Sequence, residues 1–167
     1  MRYSPSNHSY AASAYDDDMC LKPSLLLWLA LLWLSRAITL PIMIGVGHIA
    51  GVNADALSLL RDYWSADQLI PAALAFPVFV ACCRRVPAAS GTIRWIWARG
   101  RHLLLLSAGV DMVLPLVIQL REVHLGHWEV SEQFSNAVTT AVGLYFFAYI
   151  LLARRARDTF LDFPPAL

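Results

Sequence analysis

The stretch LLLWLALLWLSRAITLPIMI, residues 25–44, decides the fold class because it has the composition of a segment that dissolves in lipid. A bilayer core about 30 Å thick requires ~20 apolar residues in a helix, and this stretch supplies them. The whole chain of 167 residues is 58% hydrophobic and only 15% charged, which is outside ordinary soluble usage. The sequence therefore predicts a membrane protein. One residue conflicts with the pattern, Arg36 inside the apolar stretch.

Four apolar segments follow one another along the chain, at about residues 24–46, 66–83, 102–120 and 134–153. The second is short and contains Pro71 and Pro77, so a re-entrant segment is its alternative. We predict an all-α polytopic membrane protein with four transmembrane helices over residues 23–154. A disordered cytoplasmic tail, residues 1–22, is expected before them, and a cytoplasmic tail, residues 155–167, after them.

Basic residues indicate how the helices are oriented. The link formed by residues 84–101 holds five arginines and no acidic residue. Lys and Arg accumulate on the cytoplasmic side of membranes, so this link is expected there. With four spans both termini lie on the same side as the link, and only Arg61 and Arg121 lie outside. We predict a multi-pass protein with both termini in the cytoplasm.

Arg36 requires a partner, because a lone charge in the hydrocarbon core is costly. Asp111 is the one acidic residue in the core of a predicted span. Counted from the cytoplasmic side, Arg36 lies about 18 Å deep and Asp111 about 13 to 14 Å deep. Pro115 removes the hydrogen bond to the Asp111 carbonyl, and a guanidinium has donors for both that carbonyl and the carboxylate. We predict a buried pair, which is either a structural clamp or a site of proton or ion coupling.

The connection after the first span predicts a short periplasmic helix lying in the membrane interface. Leu57, Leu60 and Trp64 recur at steps of three and four residues, which aligns them on one helix face. An ordinary solvated loop is the alternative. Tryptophans near span ends are typical interfacial anchors. The others expected in that role are Trp95, Trp97 and Trp128.

Two weaker patterns in the sequence concern helix packing and metal binding. Gly47 and Gly51 are one turn apart, a spacing that permits close packing of helices. His124, His127 and Glu129 are weak metal candidates, because the two histidines are three residues apart and lack the helical i, i+4 spacing. No metal, cofactor or nucleic acid is predicted. Nucleophile, P-loop and dinucleotide motifs are also absent from the sequence, so we expect a protein that is not an enzyme.

The run YDDDMCLKPSLLLWLALLWLSRA, residues 15–37, resembles the entrance of the YfeZ-like family of uncharacterised bacterial inner-membrane proteins. Members of that family open with a Tyr-Asp pair, a Leu-Lys-Pro step and a Leu-Trp-Leu first span that ends in Arg. The matching positions here are Tyr15, Asp16, Leu21, Lys22, Pro23, Leu27, Trp28, Leu29 and Arg36. The resemblance implies a bacterial inner membrane and carries no assigned activity.

Two functions are consistent with these patterns. The first is a non-enzymatic accessory or interaction subunit of a membrane complex, with the lipid bilayer and either its own copies or other subunits as partners. The alternative is a small oligomeric ion- or proton-coupled transporter or pore that uses Arg36 and Asp111. A polar pathway beyond this pair would favour the transporter, and the sequence shows none.

Overall fold

The computed structural model describes residues 10–16, 19–53, 55, 66–124 and 130–164. Over these ranges the chain is helical and contains no β-strand, only an isolated bridge between Tyr15 and Leu21. The predicted all-α class is therefore confirmed for the described residues. The α-helices are α1 (Leu25–Leu34), α2 (Arg36–Ile49), α3 (Leu69–Cys83), α4 (Gly91–His124), α5 (Val130–Leu152) and α6 (Arg154–Leu161).

Helix α4 is the centre of the packing. It packs against both α3 and α5, while α1 packs against α3 and α6 against α4. The core between these helices is apolar, because it consists of aliphatic and aromatic side chains that are buried away from solvent. Its largest members are Leu27, Leu31, Leu34, Val78, Trp97, Leu104, Phe146, Ile150 and Phe160.

The first apolar segment is bent: α1 and α2 meet at Ser35 at an angle of 86°. Ser35 Oγ donates to the Leu31 carbonyl at 2.5 Å, and the Ser35 N–H donates to the same oxygen at 3.0 Å. Serine side chains that bond back to the carbonyl four residues earlier bend helices. A straight span over residues 24–46 was expected. Instead, Arg36 is the first residue of a second helix.

Membrane-spanning capacity differs among the helices. Within the described residues, one helical stretch, Gly91–Arg121, is long and apolar enough to cross a membrane without a break. The bent pairs Leu25–Leu34 with Arg36–Ile49 and Asn136–Leu152 with Arg154–Leu161 raise the number to three if each is one span. Helix α3 has 15 residues, or about 22 Å, which is shorter than a bilayer core. By length and composition, the described residues thus contain one to three candidate spans, and four are not confirmed.

Parts of the two predicted tails are packed against the helices. Cys20 and Leu21 are buried, and the Lys22 N–H donates to the Ala14 carbonyl at 2.8 Å. At the other end α6 buries Phe160 in the core. Residues 10–16 and 19–22 therefore hold a defined position although a disordered tail was expected, and residues 155–161 of the expected cytoplasmic tail lie in α6. Burial of apolar side chains such as these stabilises the packed arrangement.

The close contact between α6 and α4 at Gly100 predicts that a methyl group added there destabilises the fold. A Cβ added at Gly100 would lie 2.6 Å from Phe160 Cε1 and 3.0 Å from Val78 Cγ1. Gly100→Ala is therefore expected to lower the free energy of unfolding by about 1–3 kcal/mol through overpacking. Thermal unfolding in detergent measures this change.

Gly109→Ala is the matched control in the same helix, because a Cβ there has nothing within 4 Å. It is expected to stabilise the protein by up to about 1 kcal/mol, the difference in helix propensity. Phe160→Leu is expected to recover part of the loss in Gly100→Ala. Equal unfolding temperatures for the two alanine variants would contradict the close approach of α6 to α4.

Candidate functional site

The structure brings Arg36 and Asp111 together where the bent first segment meets α4. Arg36 Nη2 donates to Asp111 Oδ1 at 2.9 Å, and Nη1 donates to Oδ2 at 3.3 Å. Two parallel N–H···O contacts of this kind are the strongest arrangement for an arginine and a carboxylate. The side chains are 12% and 1% exposed, respectively. This pair ties the corner between α1 and α2 to the longest helix.

The guanidinium of Arg36 also forms a hydrogen bond at the end of α1. The last carbonyls of a helix have no partner within the helix, and Arg36 Nη1 donates to the Trp33 carbonyl at 2.8 Å. We expected this donor to serve the Asp111 carbonyl that Pro115 frees. Pro115 is buried within α4. The turn of the chain at Ser35 brings the end of α1, and not the Asp111 carbonyl, beside the guanidinium. The carbonyl contacted is therefore that of Trp33.

Trp33 is a third member of the site, which the sequence reasoning missed. Its indole Nε1 donates to Asp111 Oδ2 at 3.2 Å. The Arg36 guanidinium carbon lies 4.4 Å from the centre of the Trp33 ring, a cation–π contact. The spacing of three residues between Trp33 and Arg36 was the available signal, because side chains at this spacing are neighbours on a helix.

The Asp111 carboxylate is enclosed on all the sides that the structure describes. It accepts two hydrogen bonds from Arg36 and one from Trp33. Gly143 of α5 lies close to it, since a Cβ at Gly143 would be 3.6 Å from Asp111 Oδ2. A charge pair that is compensated and hydrogen-bonded in this way avoids most of the cost of a lone buried charge. The arrangement braces three elements and holds the carboxylate away from solvent.

Gly47 and Gly51 both take part in the hydrogen bonds that end α2. The Gly51 N–H donates to the His48 carbonyl at 3.3 Å, and the Val52 N–H donates to the Gly47 carbonyl at 2.9 Å. These two bonds form a Schellman motif, whose residue after the cap needs a positive φ. Gly51 has φ of 73° and is exposed, whereas Gly47 is buried. The predicted packing role therefore does not describe Gly51.

Trp97 is a core residue and not an exposed interfacial anchor. It is 1% exposed, and its indole Nε1 donates to the carbonyls of Thr159 and Asp162, each at 3.2 Å. Its ring centre lies 4.8 Å from that of Phe160. The expectation of an anchor failed because α6 and the residues after it fold back over this part of α4.

The remaining predicted anchors and metal candidates are distributed as follows. Trp95 is exposed on α4, and His124 is exposed at the end of the same helix. In the described part of the chain no group of three or more His, Cys, Asp and Glu residues lies close enough to hold a metal ion. The predicted residues outside the described ranges are Leu57, Leu60, Trp64, His127, Trp128 and Glu129.

A second cluster, here called the terminal clasp, consists of residues 19–22, residues 158–164 and the arginines that bind them, Arg85 and Arg94. Arg85 Nη1 donates to the Leu21 carbonyl at 2.8 Å, and Nη2 donates to the Asp162 carbonyl at 2.9 Å. The Leu21 N–H completes the contact by donating to Asp162 Oδ2 at 2.7 Å. The segments around Leu21 and Asp162 thus bind to the same side chain, that of Arg85.

Arg94 holds the last described residues of the clasp. Its Nη1 donates to the Pro164 carbonyl and its Nη2 to the Pro87 carbonyl, both at 2.6 Å. Asp16 contributes from the N-terminal side, with Oδ2 3.9 Å from Arg85 Nη1. The link predicted over residues 84–101 is shorter than expected, because α4 begins at Gly91. Arginines that were interpreted only as orientation signals therefore also bind backbone carbonyls.

The family model described as "Protein of unknown function (DUF2919)" matches residues 10–162. The chain belongs to the DUF2919 family. No curated protein and no solved structure gives a significant match. The DUF2919 match includes the Arg36–Asp111 pair and nearly all of the terminal clasp, so both lie within the family domain. It also begins at Tyr10, which agrees with a packed N-terminal segment.

Proposed function

We propose that this DUF2919 protein is a non-enzymatic accessory or interaction subunit of a complex in the bacterial inner membrane. In this proposal it has four spans and both termini in the cytoplasm. The resemblance to the YfeZ-like family and the uneven distribution of arginines support this placement. Helix α3 and the 3₁₀ turn before it, Ala66–Gln68, amount to about 28 Å of helix, close to the thickness of a bilayer core.

The observation that carries the proposal is the closed state of the Asp111 carboxylate. Intramembrane carboxylates that couple protons or ions face a cavity or a polar path. Asp111 is 2% exposed, and its three hydrogen bonds all come from Arg36 and Trp33. These contacts favour a brace over a coupling site. The transporter alternative therefore has less support than a subunit with a structural ion pair.

The outer face of α4 supports an interaction role. Val113, Leu116, Val117 and Leu120 are exposed side by side on this helix. Only 28% of the most apolar 18-residue stretch of Gly91–Arg121 is buried within the chain. In a membrane such a face is covered by lipid or by another helix. We assign the partner to this face because it lies on the one described helix that is long and apolar enough to cross a membrane without a break.

Site-specific photocrosslinking tests the proposal in membranes washed with alkaline carbonate. A photoreactive residue at Val117 is expected to give one or a few discrete protein adducts. The matched control is Leu144 of α5, which has nearly the same exposure, 53% against 55%, and is expected to give lipid products alone. Adducts of twice the chain mass identify a second copy, and other masses identify another subunit.

Two results would overturn parts of this proposal separately. Release of the chain by the carbonate wash would reject membrane embedding. Retention in the membrane with only lipid products at Val117 would reject the interaction role while leaving the membrane location in place.

A further inference from the structure

A stripe of exposed residues runs along the first half of α4. Trp95, Arg99, His102 and Leu106 are separated by four, three and four residues, which places them on one face of the helix. All four are exposed. Beyond Leu106 the same face continues with the apolar side chains Val113 and Val117. The stripe thus changes from basic and aromatic to purely apolar at about His102.

Arg99 differs from its neighbouring arginines in what it contacts. Arg85 and Arg94 donate to backbone carbonyls of the terminal clasp. Arg101 Nη2 donates to the Leu151 carbonyl at 2.9 Å, which caps the end of α5. Arg99 is instead exposed, with its guanidinium carbon 4.3 Å from the centre of the Trp95 ring. Stacking on the indole orders this guanidinium at the surface of the protein.

Helix α6 adds a further basic residue at the same end of the molecule. It is bent by 64° from α5 and lies on α4, where Phe160 meets Gly100. Its buried residues are Ala156, Thr159 and Phe160. Arg157 and Leu161 are exposed on the same helix. Cationic and apolar side chains mixed on the outer face of a short bent helix are typical of a membrane interface.

We propose that the head group of an anionic phospholipid binds at the face of α4 formed by Trp95, Arg99 and His102, at the end of the molecule where α6 carries Arg157. This inference rests on the proposed membrane location. A guanidinium fork matches the geometry of a phosphate, and cations beside the cytoplasmic leaflet are attracted to anionic lipids. Trp95 is exposed four residues after the start of α4, and tryptophans near the ends of spans are typical interfacial anchors. The first part of the acyl chains then lies against Leu106, before the face assigned to the partner begins at Val113.

The experiment titrates the full-length chain in detergent with phosphatidylglycerol or with phosphatidylcholine of the same acyl chains, followed by native mass spectrometry. The wild-type chain is expected to bind phosphatidylglycerol at least about fivefold more tightly, the factor for one cation at an anionic surface. Arg99→Gln is expected to lower the affinity for phosphatidylglycerol by about fivefold and to leave phosphatidylcholine unchanged. Arg121→Gln is the matched control, since it removes one exposed arginine from the other end of α4.

Each other outcome counts against the site in a defined way. Equal affinities for the two lipids in the wild-type chain would reject the head-group site and leave membrane embedding intact. The same conclusion follows if Arg121→Gln lowers phosphatidylglycerol binding as much as Arg99→Gln does. Failure to retain either lipid would count against the membrane location itself, together with the site.

Discussion

Asp111→Asn and Arg36→Leu, made singly, are each expected to lower the free energy of unfolding in detergent by about 3–5 kcal/mol. Each change leaves the other charge buried without its partner, because the two side chains are only 1% and 12% exposed. The double variant is expected to lose less than the sum of the single losses, by about 0.5–3 kcal/mol. Chemical or thermal unfolding of the four proteins gives this coupling energy.

Trp33→Phe separates the ring from the hydrogen bond within the same site. It keeps an aromatic ring beneath the guanidinium but removes the Nε1 donor to Asp111 Oδ2. A loss of about 1.5–3 kcal/mol in the free energy of unfolding is expected, the range for a hydrogen bond to a charged group.

Strictly additive effects of Arg36→Leu and Asp111→Asn would mean that the contact between Arg36 and Asp111 contributes nothing to stability.

The same variants distinguish a brace from a coupling site. If the double variant folds and supports the cellular role of the protein, the charges at Arg36 and Asp111 are needed only for structure. If it folds and the role is lost, the charges themselves take part in function. The second result would restore proton or ion coupling as the better interpretation.

The pairing of Arg36 with Asp111 was predictable because the choice of partners is small. An apolar segment excludes other acids, and the rise of 1.5 Å per residue places the two side chains at similar depths. The bend at Ser35 was not predictable in the same way, since hydropathy does not record a local bond such as Ser35 Oγ to the Leu31 carbonyl. The sequence therefore identified the partner and missed the geometry of the corner.

The terminal clasp shows a different limit of sequence reasoning. Arg85 contacts Leu21 and Asp162, which are 64 and 77 residues away along the chain. No periodic pattern encodes contacts over such separations. The prediction for Trp97 was wrong for the same reason. A tryptophan near the end of a span is an interfacial anchor if it is exposed and a core residue if another part of the chain covers it. Here the cover is the segment around Phe160.

Arg85→Ala is expected to detach the terminal clasp and to lower the free energy of unfolding by about 3 kcal/mol. It removes two hydrogen bonds from a charged donor, each contributing about 1.5–3 kcal/mol, and part of that loss is recovered where water reaches the freed carbonyls. Cys20 reports the detachment directly. Burial raises the pKa of its thiol to about 11 in the folded clasp, and release is expected to return the pKa to about 8.5. Maleimide labelling of Cys20 at about pH 8 then accelerates at least tenfold, because the thiolate is the reacting form.

Arg84→Ala is the matched control, since it removes the same charge from the neighbouring exposed residue. Its expected effect on stability is within about 0.5 kcal/mol, as for an ordinary surface substitution. Both variants are compared in a Cys83→Ser background, because Cys83 is exposed and Cys82 is buried. Equal labelling rates of Cys20 in the two variants would mean that Arg85 does not hold the clasp. Faster labelling in Arg85→Ala alone, without loss of the α-helical signal, would show that the chain ends open while the helices stay folded.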